Sequence, residues 1–533
     1  MSLVDEFRQF LGSFKTAEAV SPELSGEIWV STGLEDPLRK AIELGSDVIV
    51  AGSAGGGKTH LMRQVANDSA PLKFVEWPDE GEPRRGKFVR VISDATASKK
   101  PLMRQRSKIF SERPRNCQSV IVAINEGILL QLAREEPESK FGLSLTRLHQ
   151  GQRGIAKLFD GSTPTVIDVG GYDPVENSVV ERLLALPLLN EVVESTQCGC
   201  ESETICPRRL AWKLLKSEQV RQRVNAVVRL VGLRGNPIPF RELWDFIADL
   251  AMGGSCDSDP PTSAWFWRVF YGASRVSQDL LQIADPQAVV FPRAEAHIWH
   301  GDVMSSEIKL LPGTSLVPVE WESPLLEDRY RWRKCEMFFL MDMPSVFDVI
   351  RDQIDLRLSE AIQANKPQEV VGALNSYMTY GTLSPSQMRM DLWTDMGVER
   401  RLDHARGQVS LGAVLSTKLE LRRSYAVLNH PDSVVEVFGA RTFLIHPESG
   451  ASFLLSGEVL NLLRHGRSFR SSDRPGTDME WQVSRFYARA SSSVRNDEEL
   501  EVLELDFSLM RGYPRSYQLA LQYGTIEQLG ELR

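Results

Sequence analysis

Apolar and polar positions along this chain fall into three textures. In the first, "SDVIVAGS" (46–53) is a β-branched run that breaks at a glycine-rich turn, and "KTHLMRQVAN" then places apolar residues at helical spacing. Short apolar runs recur at "LKFVEW" (72–77), "KFVRVISDA" (87–95), "SVIVAINEG" (119–127) and "PTVIDVG" (164–170), with helical stretches such as "GILLQLAREE" among them. Strand-like runs alternating with helices predict a parallel α/β sheet of five strands. Together with an amphipathic N-terminal helix, that sheet and its helices form an α/β core over residues 1–175.

The second texture is helical and covers residues 176–300. "LLKSEQVRQRVNAVVRLVGL" and "IPFRELWDFIADLAM" step their apolar residues by three and four. Helices following an α/β core suit the lid of an AAA-type ATPase. A further helical region, 301–385, contains "YRWRKCEMFFLMDM". Beyond it, "VSLGAVLSTKLELRRSYAVL", "SVVEVFGARTFLIH" and "LEVLELDFSL" are strand-like and predict a β-rich C-terminal domain over 386–533.

Composition narrows the class. With 533 residues, 42% hydrophobic and 25% charged, the chain is long enough for several domains with sizeable cores. No run approaches the ~18 apolar residues of a membrane span. The N-terminus carries acids where a secretory signal is basic, so the expectation is a cytoplasmic protein without membrane contact. A net charge of −9 argues against a uniformly basic, DNA-coating surface. Residues 84–115, however, hold eleven Lys/Arg against two acids, a local +9 that leaves −18 for the remainder. Arg104 and Arg106 in that segment are the candidates for DNA contact; the alternative is a solvated face offset by acids elsewhere.

The strongest chemistry lies in Gly52-Ser53-Ala54-Gly55-Gly56-Gly57-Lys58-Thr59, a full match to G-x-x-x-x-G-K-[ST] between a strand and a helix. Glycines let backbone N–H groups turn toward phosphates, Lys58 reaches the β- and γ-phosphates, and the Thr59 hydroxyl ligates Mg²⁺. The expectation is therefore an α/β P-loop NTPase binding ATP with Mg²⁺. His60 adjoins the loop, and its ring is expected to pack on the helix. Hydrolysis also needs a carboxylate near the metal and a group that positions water. Asp94 is the candidate metal carboxylate, followed by Ala95 where a glutamate is usual. Asn125 is the candidate polar sensor, and Glu126 can supply the missing carboxylate; Asp168 is a weaker competitor for the metal. Arg208, Arg209, Arg229, Arg234 and Arg241 are candidates for reaching a neighbouring subunit's nucleotide in an oligomer.

Of six cysteines, Cys198, Cys200 and Cys206 share one loop and Cys256 follows the helical pair. Four thiolates can close a tetrahedral structural Zn²⁺ site that joins two distant segments. Buried free thiols are the alternative.

Taken in order, "GSAGGGKTHLM", "VISDAT", "VIVAINEG", the "CGC…CP" loop and "IPFRELWDFIADL" resemble the DptF family. These are ATPase-like subunits of bacterial DNA phosphorothioation-dependent restriction systems. The resemblance covers residues 28–300, although Gly56 stands where that family's loop is expected to carry an acid. It implies an ATP-binding subunit of an anti-phage restriction complex, working with partner subunits on DNA lacking the protective modification. One partner would be a translocase-like ATPase. No clustered Asp/Glu/Lys nuclease centre is visible in the sequence, so cleavage would fall to partners. A nucleotide-sensing assembly scaffold with little turnover, an ATPase of another phage-defence system and a small-molecule phosphotransferase are the other readings.

Overall fold

The computed structural model describes residues 2–13, 21–53, 55–68, 72–76, 86–93, 110, 115–135, 138, 140, 142–143, 163–172, 174–175, 178–198, 200, 206–232, 238–288, 295–300, 308–321, 326–342, 366–378, 389–395, 405–432, 437–455, 483, 486–487, 490, 500–506, 511–522 and 525–531. Two units make up the chain. One comprises Met1–His149, Ala156–Gln353 and Tyr425–Ala440; the other comprises Gln150–Ile155, Ile354–Ser424 and Arg441–Arg533.

The first unit opens with helices α1 (Leu3–Ser13), α2 (Pro22–Glu27) and α3 (Glu35–Glu43). It continues through β1 (Val48–Gly52), α4 (Lys58–Asp68), β2 (Lys73–Glu76), β3 (Phe88–Ile92), β4 (Cys117–Asn125), α5 (Glu126–Glu135) and β5 (Thr165–Asp168). These five strands are parallel, in the order β2-β3-β4-β1-β5. Their faces are covered on both sides. Val48, Val50, Ile121, Ala123 and Ile167 meet Leu38 and Ile42 of α3 and Leu61 and Val65 of α4. On the other face Ile49, Ala51, Val120, Val122 and Ile124 meet Leu129 of α5. Burial on both faces is why these strands read as continuous apolar runs rather than alternating ones. Each buried Val, Leu or Ile side chain among them contributes about 1.5–3 kcal/mol of transfer free energy.

A sixth strand comes from far along the chain. Val427–Leu428 pairs antiparallel with β5 at the sheet edge, Leu428 opposite Val166 and Val427 opposite Ile167. Buried Asn429 fixes the junction: its side-chain amide donates to Pro164 O at 3.1 Å, and Thr165 Oγ1 donates to Asn429 O at 3.1 Å. Segment Tyr425–Ala440, which lies within the strand-like texture of 386–533, thus belongs to the first unit.

The rest of the first unit is helical: α6 (Val179–Leu184), α7 (Pro187–Ser195), α8 (Pro207–Leu214), α9 (Glu218–Gly232), α10 (Phe240–Met252), α11 (Trp265–Tyr271), α12 (Arg275–Ile283), α13 (Glu295–His300) and α14 (Leu326–Leu340). Local chemistry sets several starts. Proline, preorganised for a first helical turn, begins α7 and α8. Ser274 caps α12, accepting from Ser277 N at 3.1 Å. Their common core is aromatic, with Trp265, Phe266, Phe270, Trp332, Phe338 and Phe339 all buried. Both indoles keep a partner: Trp265 Nε1 donates to Ala211 O at 2.6 Å and Trp332 Nε1 to Pro261 O at 2.8 Å.

In the second unit, α15 (Gln368–Met378) precedes β6 (Arg389–Asp395), β7 (Ala405–Leu415) and β8 (Glu420–Tyr425). Counting the edge strand as β9, there follow β10 (Phe438–His446), β11 (Ala451–Leu454), β12 (Leu500–Asp506), β13 (Arg511–Gln522) and β14 (Thr525–Glu531). Five of these form an antiparallel sheet ordered β14-β13-β12-β7-β6, and three form a sheet ordered β11-β10-β8. Among the described residues no helix is long and apolar enough to cross a membrane.

Candidate nucleotide site and cysteine cluster

Between the end of β1 at Gly52 and the start of α4 at Lys58 the chain must turn within five residues. Gly55 and Gly57 make the turn with φ of +80° and +89°, a left-handed backbone that suits glycine. Gly56 N closes it by donating to Ser53 O at 3.2 Å. Lys58 then folds back over the loop. Its Nζ donates to Gly52 O at 3.1 Å, Ser53 O at 2.8 Å and Asn125 Oδ1 at 2.9 Å, which uses all three ammonium donors.

Strand order brings these groups together. β4 lies beside β1 with Asn125 opposite Gly52, and β5 lies on the other side with Asp168 opposite Ala51. Asn125 is therefore a direct partner of Lys58. Glu126 is the first residue of α5, one position beyond it. Asp168 is the last residue of β5. Buried, it accepts from Gly171 N at 2.9 Å and holds the turn after β5. Thr59 Oγ1 lies 3.5 Å from Ser93 O, just past the end of β3. Asp94, the next residue, lies outside the described residues, as do Ala54, Arg104, Arg106 and Arg234.

Glu76 is a carboxylate that no sequence motif marks. It ends β2, and its Oε1 accepts from Ser93 N at 2.8 Å and Ser93 Oγ at 2.9 Å. The only signal is an acid at the end of an apolar run, and the pairing of β2 with β3 gives it meaning. His60 packs as a ring, its centroid 4.5 Å from that of Trp29, with Nδ1 3.2 Å from Ser25 Oγ. Burial, helped by the charge of Arg63, pulls its pKa down to about 4, so the imidazole is neutral near pH 7.

The start of α10 closes over the loop. Arg241 N donates to Gly55 O at 3.1 Å. A Cβ at Gly55 would lie 2.8 Å from Arg241 Cβ, and one at Gly57 would lie 3.2 Å from the Phe240 ring. Positive φ favours glycine at both positions, and at Gly55 the close approach of Arg241 leaves little room for a side chain as well. The Phe240 and Tyr172 rings are nearly parallel, 7° apart with centroids separated by 6.5 Å. A small cleft runs between them and the loop, bounded by Ser53, Gly56, Gly170, Tyr172 and Phe240. Arg241, a candidate for reaching a neighbour's nucleotide, lies against its own chain's loop. Arg208 is buried and donates to Gly254 O at 3.0 Å and Gly253 O at 3.3 Å, just beyond the other end of α10.

That far end carries the sulfur cluster. Cys198 follows α7, Cys206 immediately precedes α8, and Cys256 lies four residues beyond α10. Together with Cys200, their sulfurs lie within 4.8 Å of one another. Cys198 and Cys206 are 3.2 Å apart, and Cys206 and Cys256 are 3.8 Å apart. Tetrahedral zinc with Zn–S bonds of ~2.3 Å implies S···S separations of about 3.8 Å, so the spacing suits such an ion. Burial raises Cys206 to about 11 and pushes Cys200 above the ordinary thiol range. At Cys198 burial acts in the same direction, but hydrogen bonds with Cys206, Cys200 and Cys256 bring it down to about 7. Cys117 and Cys335 stand elsewhere, buried in β4 and α14.

No family model, curated protein or solved structure matches this chain.

Chemically, the first site offers a glycine turn, an ammonium and the N-terminus of an eleven-residue helix at the carboxyl ends of parallel strands. These are the elements that receive a polyphosphate. The second site offers four sulfur donors to one soft or borderline cation.

Proposed function

We propose that the chain is an ATP-binding and ATP-hydrolysing P-loop subunit, AAA-like in its core, of a cytoplasmic bacterial anti-phage restriction complex of the DptF kind. In this role it acts with partner subunits on DNA lacking a protective modification. The observation that carries the nucleotide reading is the triple anchoring of Lys58 on Gly52 O, Ser53 O and Asn125 Oδ1. It sets an ammonium at the mouth of a glycine turn, beside a polar residue from the adjacent strand. ATP·Mg²⁺ supplies the phosphoanhydride and the divalent charge. Lys58 would exchange carbonyl partners for phosphate oxygens, and Thr59 and Asp94 would be the residues to hold the metal, through a hydroxyl and a carboxylate. Asn125 keeps the ammonium in register and presents its amide to water, while Glu126 is the nearest carboxylate in sequence for the role of base. The four cysteines hold a structural Zn²⁺. The restriction setting is supported by the order of motifs from the P-loop through "CGC…CP" to "FRELWDFIADL".

A second reading is favoured by Ala95, which stands where a catalytic glutamate is usual: a nucleotide-sensing scaffold that binds ATP and barely turns it over. Phosphate release by the full chain, with and without DNA, beside Lys58→Ala separates the two. The motor reading expects DNA-stimulated release that Lys58→Ala abolishes. Equal, background release by both proteins under every condition contradicts it and leaves the scaffold.

A further inference from the structure

The two sites stand at the two ends of one helix. α10 spans thirteen residues, about 20 Å at 1.5 Å per residue. Its N-terminal residues, Phe240 and Arg241, lie on Gly57 and Gly55 of the P-loop turn. Its C-terminal end runs through Gly253 and Gly254 into Cys256. Between the ends, Leu243, Phe246, Ile247, Leu250 and Ala251 are buried, so the helix is packed along its length.

The cysteine end is the one that needs an added constraint. Beyond Met252 the chain leaves the helix at Gly253 in extended conformation, and Gly254 turns at φ +73°. Local bonds then shape the loop: Ser263 N donates to Ser255 O at 3.0 Å, and Cys256 Sγ lies 3.2 Å from Ser263 Oγ. Arg208, near the start of α8, ties this loop to that helix through the two glycine carbonyls, and the sulfur cluster ties it to the cysteines before α8. Three of the four sulfurs come from residues 198–206 and the fourth from residue 256. A cation held by all four therefore joins the exit of α10 to the start of α8.

We propose that Zn²⁺ bound by Cys198, Cys200, Cys206 and Cys256 fixes the far end of α10 and, through that helix, holds Phe240 and Arg241 against the P-loop, so that loss of the metal weakens nucleotide binding. Zinc occupancy stands on the sulfur geometry alone, whereas the effect on nucleotide rests on the ATP-binding reading above. Zinc has no redox chemistry and takes four thiolates without a preferred distortion, which suits a staple between two loops. The coupling is reciprocal: bound nucleotide, by contacting Phe240 and Arg241, tightens the hold on the metal by the same factor.

The test uses the full chain. Metal analysis after purification without chelator is expected to give one zinc per chain, reduced to background in Cys200→Ser and Cys256→Ser. Exchange into Co²⁺ is expected to give the intense visible bands of a tetrahedral thiolate site. No bound metal, or a disulfide between Cys198 and Cys206 in the native protein, overturns the site. Binding of a fluorescent ATP analogue with Mg²⁺ is then compared before metal extraction, after it, and after zinc is restored. The expected result is an affinity loss of about tenfold, reversed by zinc and accompanied by unchanged helical circular dichroism. An unchanged affinity overturns the coupling while leaving the metal site standing. If the native zinc-loaded chain shows no binding that Lys58→Ala removes, the nucleotide reading fails instead. Should the extracted chain unfold, Cys200→His decides. With its metal retained, it is expected to keep near-native nucleotide affinity, and a tenfold loss there contradicts the staple.

Discussion

The glycine cradle and the cysteine cluster lie at opposite ends of α10 and are built in opposite ways. The cradle is one continuous stretch, Gly52 to Thr59; the bonds of Lys58 to Gly52 O and Ser53 O and of Gly56 N to Ser53 O span few residues of the loop itself, while Asn125 and Arg241 reach it from β4 and α10. The cluster is assembled from residues 198–206 and 256, so it exists only once α7, α8 and α10 have packed. Local construction lets the cradle lose a side chain without unfolding the sheet beneath it, because Lys58 is anchored to carbonyls and one amide rather than to the core. Non-local construction makes the cluster both a product of the fold and a constraint on it. Substitutions in the first should change ligand binding at constant stability; those in the second should change stability first.

Several substitutions can break that contrast. Lys58→Ala has the largest expected effect. Loss of its charge-assisted contacts to phosphate costs about 3 kcal/mol or more, roughly a hundredfold in Kd. Calorimetric titration with Mg·ATP reads that loss, and the melting temperature should stay near that of the wild type. A melting point that falls as steeply as in a cysteine variant contradicts the contrast. Cys256→Ser comes next, with loss of metal and a destabilisation of about 3 kcal/mol, read in a thermal melt. Arg208→Ala, which removes a buried guanidinium from Gly253 O and Gly254 O, should cost about 2 kcal/mol while metal content stays at the wild-type value. Loss of the metal in that variant would show that the arginine, not the ion, assembles the cluster. Smallest is Asn125→Ala. Nucleotide affinity should change little, while turnover drops about tenfold, measured as kcat against KM. An equal loss in affinity would assign Asn125 to binding alone.

Much of the α/β core is legible in the chain itself. Val48 to Ala51 and Val120 to Ile124 read as strands because both their faces are buried, and buried strands are written as unbroken apolar runs. The glycine turn before α4 is legible because its geometry is local. Strand order is not, since nothing in the runs states that β4 lies between β1 and β3. That order turns Asn125 from an isolated polar residue into the partner of Lys58, and Glu76 from a strand-end acid into the partner of Ser93. The edge strand Val427–Leu428 is hidden for a different reason. Two residues carry no periodicity, and their partners Val166 and Ile167 lie some 260 positions earlier. Arg208 and Arg241 are surface-type residues by composition, and only the fold commits one to the glycine carbonyls and sets the other on the loop. For the cysteines, spacing indicates the ligand set, while the meeting of Cys256 with the 198–206 loop requires the helices between them.

Amide hydrogen exchange along the full chain tests the central claim, that one helix links the two sites. With zinc bound, Mg·ATP should slow exchange at residues 55–61 and at 241–245 together. Extraction of the metal should quicken exchange at 255–257 and also at 241–245, near the P-loop end. The contradicting result is a pair of independent footprints, with nucleotide protecting only the loop and metal loss felt only beyond Met252.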